Sequence, residues 1–351
     1  MEPEPPSQPA PTSDDAAQLL RRESLATAID SNLADAAWRE IERARRVLIV
    51  AHEHPDPDTL GSALAMAHLL ETATRTCIVA CADPVPATYS FLPGYDRVVS
   101  TLPHQDFDLV LALDAGELSR YGKLYSDYRA VFEGIPIVNF DHHITSAGCG
   151  VVNIIDPSSA ATAELLTLFL LNRGMTITRQ AAQCLLAGII TDTRSFEYDA
   201  TTARTLTAGA YLVGCGALPE TIIKPMYRMK ELARVRLWGE VLHTVSSTAG
   251  GKIIWALVLR EHLAKTGATA DMDDGLSSYL IDTDGAGIAL LFKEQDDGTT
   301  RVSLRTAAPY DAARMAAHFG GGGHVRAAGF GLRLDTHAAV EEVVTYAEML
   351  I

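Results

Sequence analysis

No apolar run in the 351-residue sequence reaches the roughly 18–20 residues that a single bilayer-spanning helix needs. The opening stretch is rich in proline and acid and has neither a basic region nor an apolar core, so no secretory signal is expected. Cys-x-x-Cys pairs are also missing. The five cysteines (Cys77, Cys81, Cys149, Cys184 and Cys215) are scattered, which fits reduced thiols better than disulfides or structural zinc and points to the cytoplasm. Positive charge is scarce: 29 Lys and Arg stand against 44 Asp and Glu, a net charge of −15. A protein that coats long DNA or RNA shows the opposite balance. The composition therefore argues against long nucleic acid and membrane as partners and leaves room for a local basic pocket holding a short anion. With 48% hydrophobic and 21% charged residues, the length suits two domains, each able to bury a core.

Residues 1–15 read as a disordered acidic, proline-rich tail, followed by helices at about 16–30 and 34–45 with a break at Ser31-Asn32. Val47–Ala51 is a first buried strand. After it comes His52-Glu53-His54-Pro55-Asp56-Pro57-Asp58-Thr59-Leu60-Gly61-Ser62, which prolines and acids keep out of regular structure until an alanine-rich helix begins. A solvated acidic turn capping that helix is the alternative to a functional loop. Short strands follow at Thr76–Ala80, at Asp108–Leu113 closing on Asp114, at Ile135–Phe140 closing on Asp141-His142-His143, and at Val151–Ile155. Helices at about 159–172 and 178–190 complete this half, the second running into Thr191-Asp192-Thr193.

Strands alternating with helices indicate an α/β fold with a doubly wound, mostly parallel sheet. Ligands in such sheets collect at the C-terminal strand edge. Asp58, Asp114 and His142 would meet there, with Asp192 within reach from a helix end. Carboxylates converging in one crevice repel one another unless cations compensate. Four Asp (Asp56, Asp58, Asp114, Asp192) and two His (His52, His142) make an oxygen/nitrogen set for two divalent ions, Mn²⁺ before zinc because no thiolate is present.

Residues 219–243 read as a helical linker to a smaller α/β domain at 244–351, with strands around 241–247, 252–259, 286–293 and 301–306 and helices near 310–318 and 336–349. Its salient feature is Gly320-Gly321-Gly322-Gly323-His324-Val325-Arg326-Ala327-Ala328-Gly329. Four glycines in a row make sense where backbone N–H groups approach a phosphate. A flexible hinge is the alternative. His324, Arg326 and the nearby Arg305 favour an anion.

Together these segments resemble the DHH/DHHA1 phosphoesterase family over residues 34–351. His52-x-x-x-Asp56-x-Asp58-x-x-Gly61-Ser62 is similar to its first motif, Asp114 to its second, Asp141-His142-His143 to the motif that names it, and Thr191-Asp192-Thr193 to the fourth. Gly320–Gly329 is similar to the GGGH…AAG signature of the DHHA1 domain. The pattern is nearest to the bacterial nanoRNase/pAp phosphatase group, which includes enzymes hydrolysing cyclic di-AMP and pApA. The resemblance implies a DHH domain at 34–218 and a DHHA1 domain at 244–351, with the active site in the cleft between them. It implies a homodimer that hydrolyses nanoRNA of about 2–5 nucleotides, pApA, cyclic di-AMP or pAp by two-metal hydroxide attack.

By position, His52 and Asp56 would bind one Mn²⁺ and Asp58, His142 and Asp192 the other, with Asp114 bridging and Mg²⁺ or Co²⁺ as substitutes. Asp141 would orient His142, and His143 would face the substrate. Arg305, His324, Gly321, Gly322, Gly323 and Arg326 would hold a terminal phosphate or nucleotide, and Arg120 would contact phosphate. One departure is Gly275-Leu276-Ser277-Ser278-Tyr279, where many relatives carry Asn around Ser278, which leaves base or sugar recognition open. The competing readings are a RecJ-like single-strand exonuclease, which would need extra basic surface, and a nucleotide-sensing binding protein, which could dispense with metal ligands.

Overall fold

The computed structural model describes residues 30–228 and 230–351. The tail and the helix expected before residue 30 lie outside the described residues. The chain divides into two compact units, Met1–Met229 and Lys230–Ile351, which are described in turn.

The first described helix is Ser31–Arg43. It starts at the residues expected to interrupt it, because the Asp30 carboxylate accepts from the N–H groups of Asn32 and Leu33 and so satisfies the first turn. Five strands follow: β1 Arg46–Ala51, β2 Thr76–Cys81, β3 Leu109–Leu113, β4 Ile137–Asp141 and β5 Val152–Ile155. They form one parallel sheet of order β2-β1-β3-β4-β5. β3 and β4 are buried along their whole length, as strands covered on both faces must be.

On one face Val47, Ile49, Leu111, Val138 and Phe140 pack under the helices Pro57–Leu70, Thr162–Asn172 and Arg179–Asp192. On the other, Leu48, Val50, Val110 and Ala112 pack against Tyr121, Leu124 and Phe132. Gly61 and Gly188 bring the Pro57–Leu70 and Arg179–Asp192 helices together. A Cβ on Gly61 would lie 2.3 Å from the Cys184 carbonyl oxygen. The chain leaves β1 first towards β2 and later returns on its other side as β3. The switch point between β1 and β3 therefore opens the sheet's C-terminal edge.

The stretch read as one helical linker is broken. A helix at Pro219–Ile223 passes into a π-helical turn at Lys224–Arg228, where Pro225 has no N–H to give. A separate helix at Leu232–His243 buries Leu237 and Val241 against Ile254, Ala256 and Val258, and so belongs to the second core. That unit is a six-stranded sheet of order β10-β11-β9-β8-β7-β6. Its strands are β6 Ser246–Thr248, β7 Ile253–Val258, β8 Ile288–Glu294, β9 Thr300–Thr306, β10 Gly322–His324 and β11 Ala327–Leu332. Only the β7–β8 pairing among these is parallel. The glycine run supplies β10 and pairs antiparallel with β11. Among the described residues no single helix is long and apolar enough to cross a membrane.

Candidate active site

Four segments of the first unit deliver acids and imidazoles to one edge. β1 ends at Ala51 and hands on to His52. Asp56 is the N-cap of the Pro57–Leu70 helix, its Oδ1 accepting from Asp58 N at 2.9 Å and Thr59 N at 3.0 Å. Pro57 occupies the first helical position, where no N–H is required. Regular structure therefore begins earlier in this segment than its prolines suggested, and it buries Asp58 completely. β3 delivers Asp114, whose backbone φ of +61° is a left-handed conformation rare outside glycine. β4 delivers Asp141, His142 and His143, and the Arg179–Asp192 helix ends on Asp192.

The donors fall into two groups that share Asp114. His52 Nε2 lies 3.4 Å from Asp114 Oδ2 and 3.8 Å from Asp56 Oδ2. His142 Nε2 lies 3.3 Å from Asp192 Oδ2, 3.7 Å from Asp114 Oδ1 and 4.0 Å from Asp58 Oδ2. The ligand atoms of His52, Asp56 and Asp114 lie within 4.8 Å of one another, as do those of Asp58, His142 and Asp192 and those of Asp114, His142 and His143. Both imidazoles have the tautomer a cation needs. His52 Nδ1 sits 2.7 Å from the Glu53 carbonyl oxygen and His142 Nδ1 3.2 Å from that of Ser159. A carbonyl can only accept, so Nδ1 carries a proton in each ring and Nε2, the atom a cation would take, is the one turned towards the carboxylates.

The electrostatics ask for positive charge. Burial pushes the Asp58 and Asp114 carboxyls well above the usual carboxylate range, and neighbouring acids push further, Asp114 and Asp192 acting on Asp58, and Asp56 and Asp192 on Asp114. Burial would depress His142, but its hydrogen bond with Asp192 and the charges of Asp58 and Asp114 outweigh that and hold it up at about 10. Three acids around one imidazole, with Asp56 beside them, crowd negative charge that a cation would offset. The oxygen/nitrogen donor set fits divalent ions.

Asp141 does not orient His142 as expected. Its Oδ1 accepts from His143 Nδ1 at 2.7 Å and from His143 N at 3.2 Å. The reason is local: β4 ends at Asp141, and its carboxylate folds onto the N–H two residues on, an Asx turn that brings in the His143 ring as well. His143 is half-exposed and lines a cavity of about 370 Å³ with Arg120, Asp114, Glu117 and Ser146. His142 is braced by a network that sequence reasoning missed. Ser159, whose carbonyl holds His142, donates its hydroxyl to Asp156 Oδ2 at 2.8 Å. Arg204 bonds Asp156 and Ser159, each at 3.0 Å, and buried Glu164 at 2.7 Å. Thr162 was missed as well. It donates its hydroxyl to Asp114 Oδ1 at 2.7 Å and its N–H to Asp58 Oδ2 at 2.7 Å. The only local signal was the small, polar run Ser158–Thr162 before an apolar helix.

In the second unit Arg305, on β9 opposite Ala327, lines a cavity of about 490 Å³ with Lys293, Arg301, Ser303 and Ser277. His324 is exposed at the end of β10. Arg326 is committed locally, donating from Nη1 to the Tyr310 carbonyl at 2.8 Å. Two of the glycines answer to packing within the hairpin. A Cβ on Gly321 would lie 2.3 Å from the Gly329 carbonyl oxygen, and one on Gly323, at φ +149°, 2.5 Å from that of Ala327. Gly322 has open space around it.

Residues 46–189 match the DHH family, N-terminal domain, and residues 246–351 the DHHA1 domain. The chain is 33% identical over 310 residues to the bifunctional oligoribonuclease and PAP phosphatase NrnA of Thermus thermophilus, covering 85% of this chain and 88% of that protein. It is 25% identical over 325 residues to the cyclic-di-AMP phosphodiesterase GdpP of Geobacillus thermodenitrificans, covering 85% of this chain but 46% of that longer protein. An exopolyphosphatase-related protein from Bacteroides fragilis shares the fold, with a TM-score of 0.80 at 22% identity over 93% of this chain and 99% of that one. All of the acid and imidazole cluster except Asp192 lies within the residues matched to the DHH N-terminal domain, and the chain belongs to the DHH family with a DHHA1 domain as its C-terminal part.

Proposed function

We propose that the protein is a phosphodiesterase that uses two divalent ions, Mn²⁺ foremost, to hydrolyse short oligonucleotides to mononucleotides. Its substrates are RNA of about 2–5 nucleotides, pApA and cyclic di-AMP, and it also removes the 3′-phosphate of pAp. The observation that carries this reading is Asp114, whose two oxygens face different histidine–carboxylate groups, as a shared ligand must. His52, Asp56 and Asp114 would hold one ion, and Asp58, His142, Asp192 and Asp114 the other. Such a pair supplies a nucleophile from water near neutral pH and offsets charge on the phosphoryl oxygens. His143, its Nδ1–H anchored on Asp141, presents the rest of its ring to the cavity, where it can donate a hydrogen bond to a phosphoryl oxygen. Arg120 lines the same cavity and adds charge.

Arg305 and His324 of the DHHA1 domain would bind the terminal phosphate or nucleotide. The relatives named for oligoribonuclease, PAP phosphatase and cyclic-di-AMP phosphodiesterase activity support this substrate class, and the net charge of −15 favours short ligands over polymer. The five free cysteines fit a cytoplasmic enzyme.

The test is a product-resolved assay with Mn²⁺ on a panel of 2- to 5-mer RNA, pApA, cyclic di-AMP and pAp, run on the wild type and on Asp114→Asn. The variant keeps the side-chain shape and should lose hydrolysis and ion uptake while retaining its circular dichroism. Near-normal turnover by Asp114→Asn would refute the shared-ligand reading.

A further inference from the structure

The Thr162–Asn172 helix begins without a cap of its own. Its N-cap is Ala161, in extended backbone, and no side chain there can accept from the first turn. The orphan N–H groups at a helix start need an acceptor, and the one they find is 104 residues away. Thr162 N donates to Asp58 Oδ2 at 2.7 Å and Ala163 N to Asp58 Oδ1 at 2.9 Å. Both oxygens of this buried carboxylate are thus fixed by the positive end of a helix, which stabilises its charge. Gly188 closes the remaining side, where a Cβ would come within 2.3 Å of Asp58 Oδ1.

The same residue reaches the second buried carboxylate. Facing a carboxylate, the Thr162 hydroxyl donates, and it does so to Asp114 Oδ1 at 2.7 Å. That oxygen lies on the His142 side, while Oδ2 lies on the His52 side. Rotation of an Asp carboxylate about its terminal bond is otherwise soft. A carboxylate that must show one oxygen to each of two ions gains from a donor that locks the rotation.

We propose that Thr162 is a positioning residue of the two-ion site. Its hydroxyl sets which oxygen of Asp114 faces which ion, and its N–H, with that of Ala163, holds Asp58. The inference rests on the two-ion reading above and assigns no chemistry to Thr162 itself. It follows that Thr162→Val, which keeps the shape and the helix-start amides, weakens uptake of at least one ion. Outer partners of metal ligands typically govern about 10–100-fold in affinity. Thr162→Ser restores the hydroxyl and with it the affinity.

The experiment is Mn²⁺ titration of the full chain by calorimetry for wild type, Thr162→Val and Thr162→Ser, alongside unfolding in chelator. The expected result is two ions per chain in wild type and Thr162→Ser, about 10–100-fold weaker binding of one or both ions in Thr162→Val, and similar metal-free unfolding midpoints for the two variants. If Thr162→Val does not fold, Thr162→Ala is read against Thr162→Ser in the same way. Unchanged affinity in Thr162→Val, or an equal loss in Thr162→Ser, overturns the inference while leaving the two-ion reading intact. A wild type that takes up no Mn²⁺ overturns both.

Discussion

Replacing Arg204 by Met should weaken the first unit far more than an ordinary surface charge would. The Arg204 side chain is 16% exposed, and its partner Glu164 is not exposed at all. With the guanidinium gone, Glu164 Oε2 still accepts from Ala160 N and the Thr205 hydroxyl, each at 2.9 Å, but Oε1 loses its 2.7 Å donor. Leaving a buried charge without its counter-charge costs about 3–5 kcal/mol, and the two surviving bonds put Arg204→Met near about 3 kcal/mol. For a unit of this size that lowers Tm by about 6–12 °C. Urea and thermal unfolding followed by circular dichroism measure it, with the transition of each unit fitted separately. In a Glu164→Gln background the Glu164 charge is already absent and the loss falls on the Asp156 and Ser159 bonds, so the same substitution should cost clearly less. A loss below about 1 kcal/mol, or an equal loss in both backgrounds, would mean that the pair is not coupled and the argument is wrong. Mn²⁺ affinity should fall in parallel, because Arg204 steadies the Ser159 segment that carries the His142 carbonyl partner.

The same network gives stability a pH dependence. Burial would raise the Asp156 carboxyl, but hydrogen bonds from Ser158 and Ser159 and the Arg204 charge outweigh it and hold Asp156 below its ordinary 3.8. A depressed folded value stabilises the fold above pH 3.8, and that stabilisation is lost as pH falls through the folded value. The stability gap between wild type and Asp156→Asn in urea should therefore shrink as pH drops below about 4, and a constant gap would count against the assignment. Gly188→Ala puts a methyl 2.3 Å from Asp58 Oδ1 and 2.6 Å from Ala163 Cβ. It should cost about 1–3 kcal/mol in unfolding and also weaken Mn²⁺ binding, whereas Gly61→Ala, which meets the Cys184 carbonyl, should cost similar stability with the smaller effect on metal. In the second unit, Gly323→Ala should lower the unfolding midpoint of that unit and leave Mn²⁺ uptake unchanged. Gly322→Ala, with open space around it, should be nearly silent in stability, and a raised KM there would mark contact with substrate.

The parts of the site written in the sequence are those where a buried strand runs into a polar side chain. A parallel strand covered on both faces is apolar throughout, so Leu109–Leu113 ending on Asp114 and Ile137–Phe140 ending on Asp141 stand out from their surroundings. Asp56-Pro57 was legible too, as an N-cap followed by a first-turn proline, but the density of acids and prolines read as loop. The Asp141–His143 pairing is an Asx turn just past the end of β4, whereas the family motif directed attention to His142. What no local pattern carries is contact across long separations. Thr162 meets Asp58 from 104 residues away and Asp114 from 48, and Arg204 meets Asp156 from 48. The glycine run is ambiguous for a different reason. Gly321 and Gly323 are small because a neighbouring strand lies against them, and composition does not distinguish that demand from an approaching phosphate.

The left-handed backbone of Asp114 also narrows how this site can decay over generations. Asp, Asn and Gly tolerate that conformation, whereas most other residues strain in it by about 1–2 kcal/mol. A descendant that abandoned hydrolysis but still needed a folded chain would find Asn or Gly the easiest exits at position 114. Val or Ile there would forfeit stability together with activity. Silent members of such a lineage should thus be recognisable by a polar amide or a glycine where the shared carboxylate once stood, with Thr162 free to drift once it has no charge to hold.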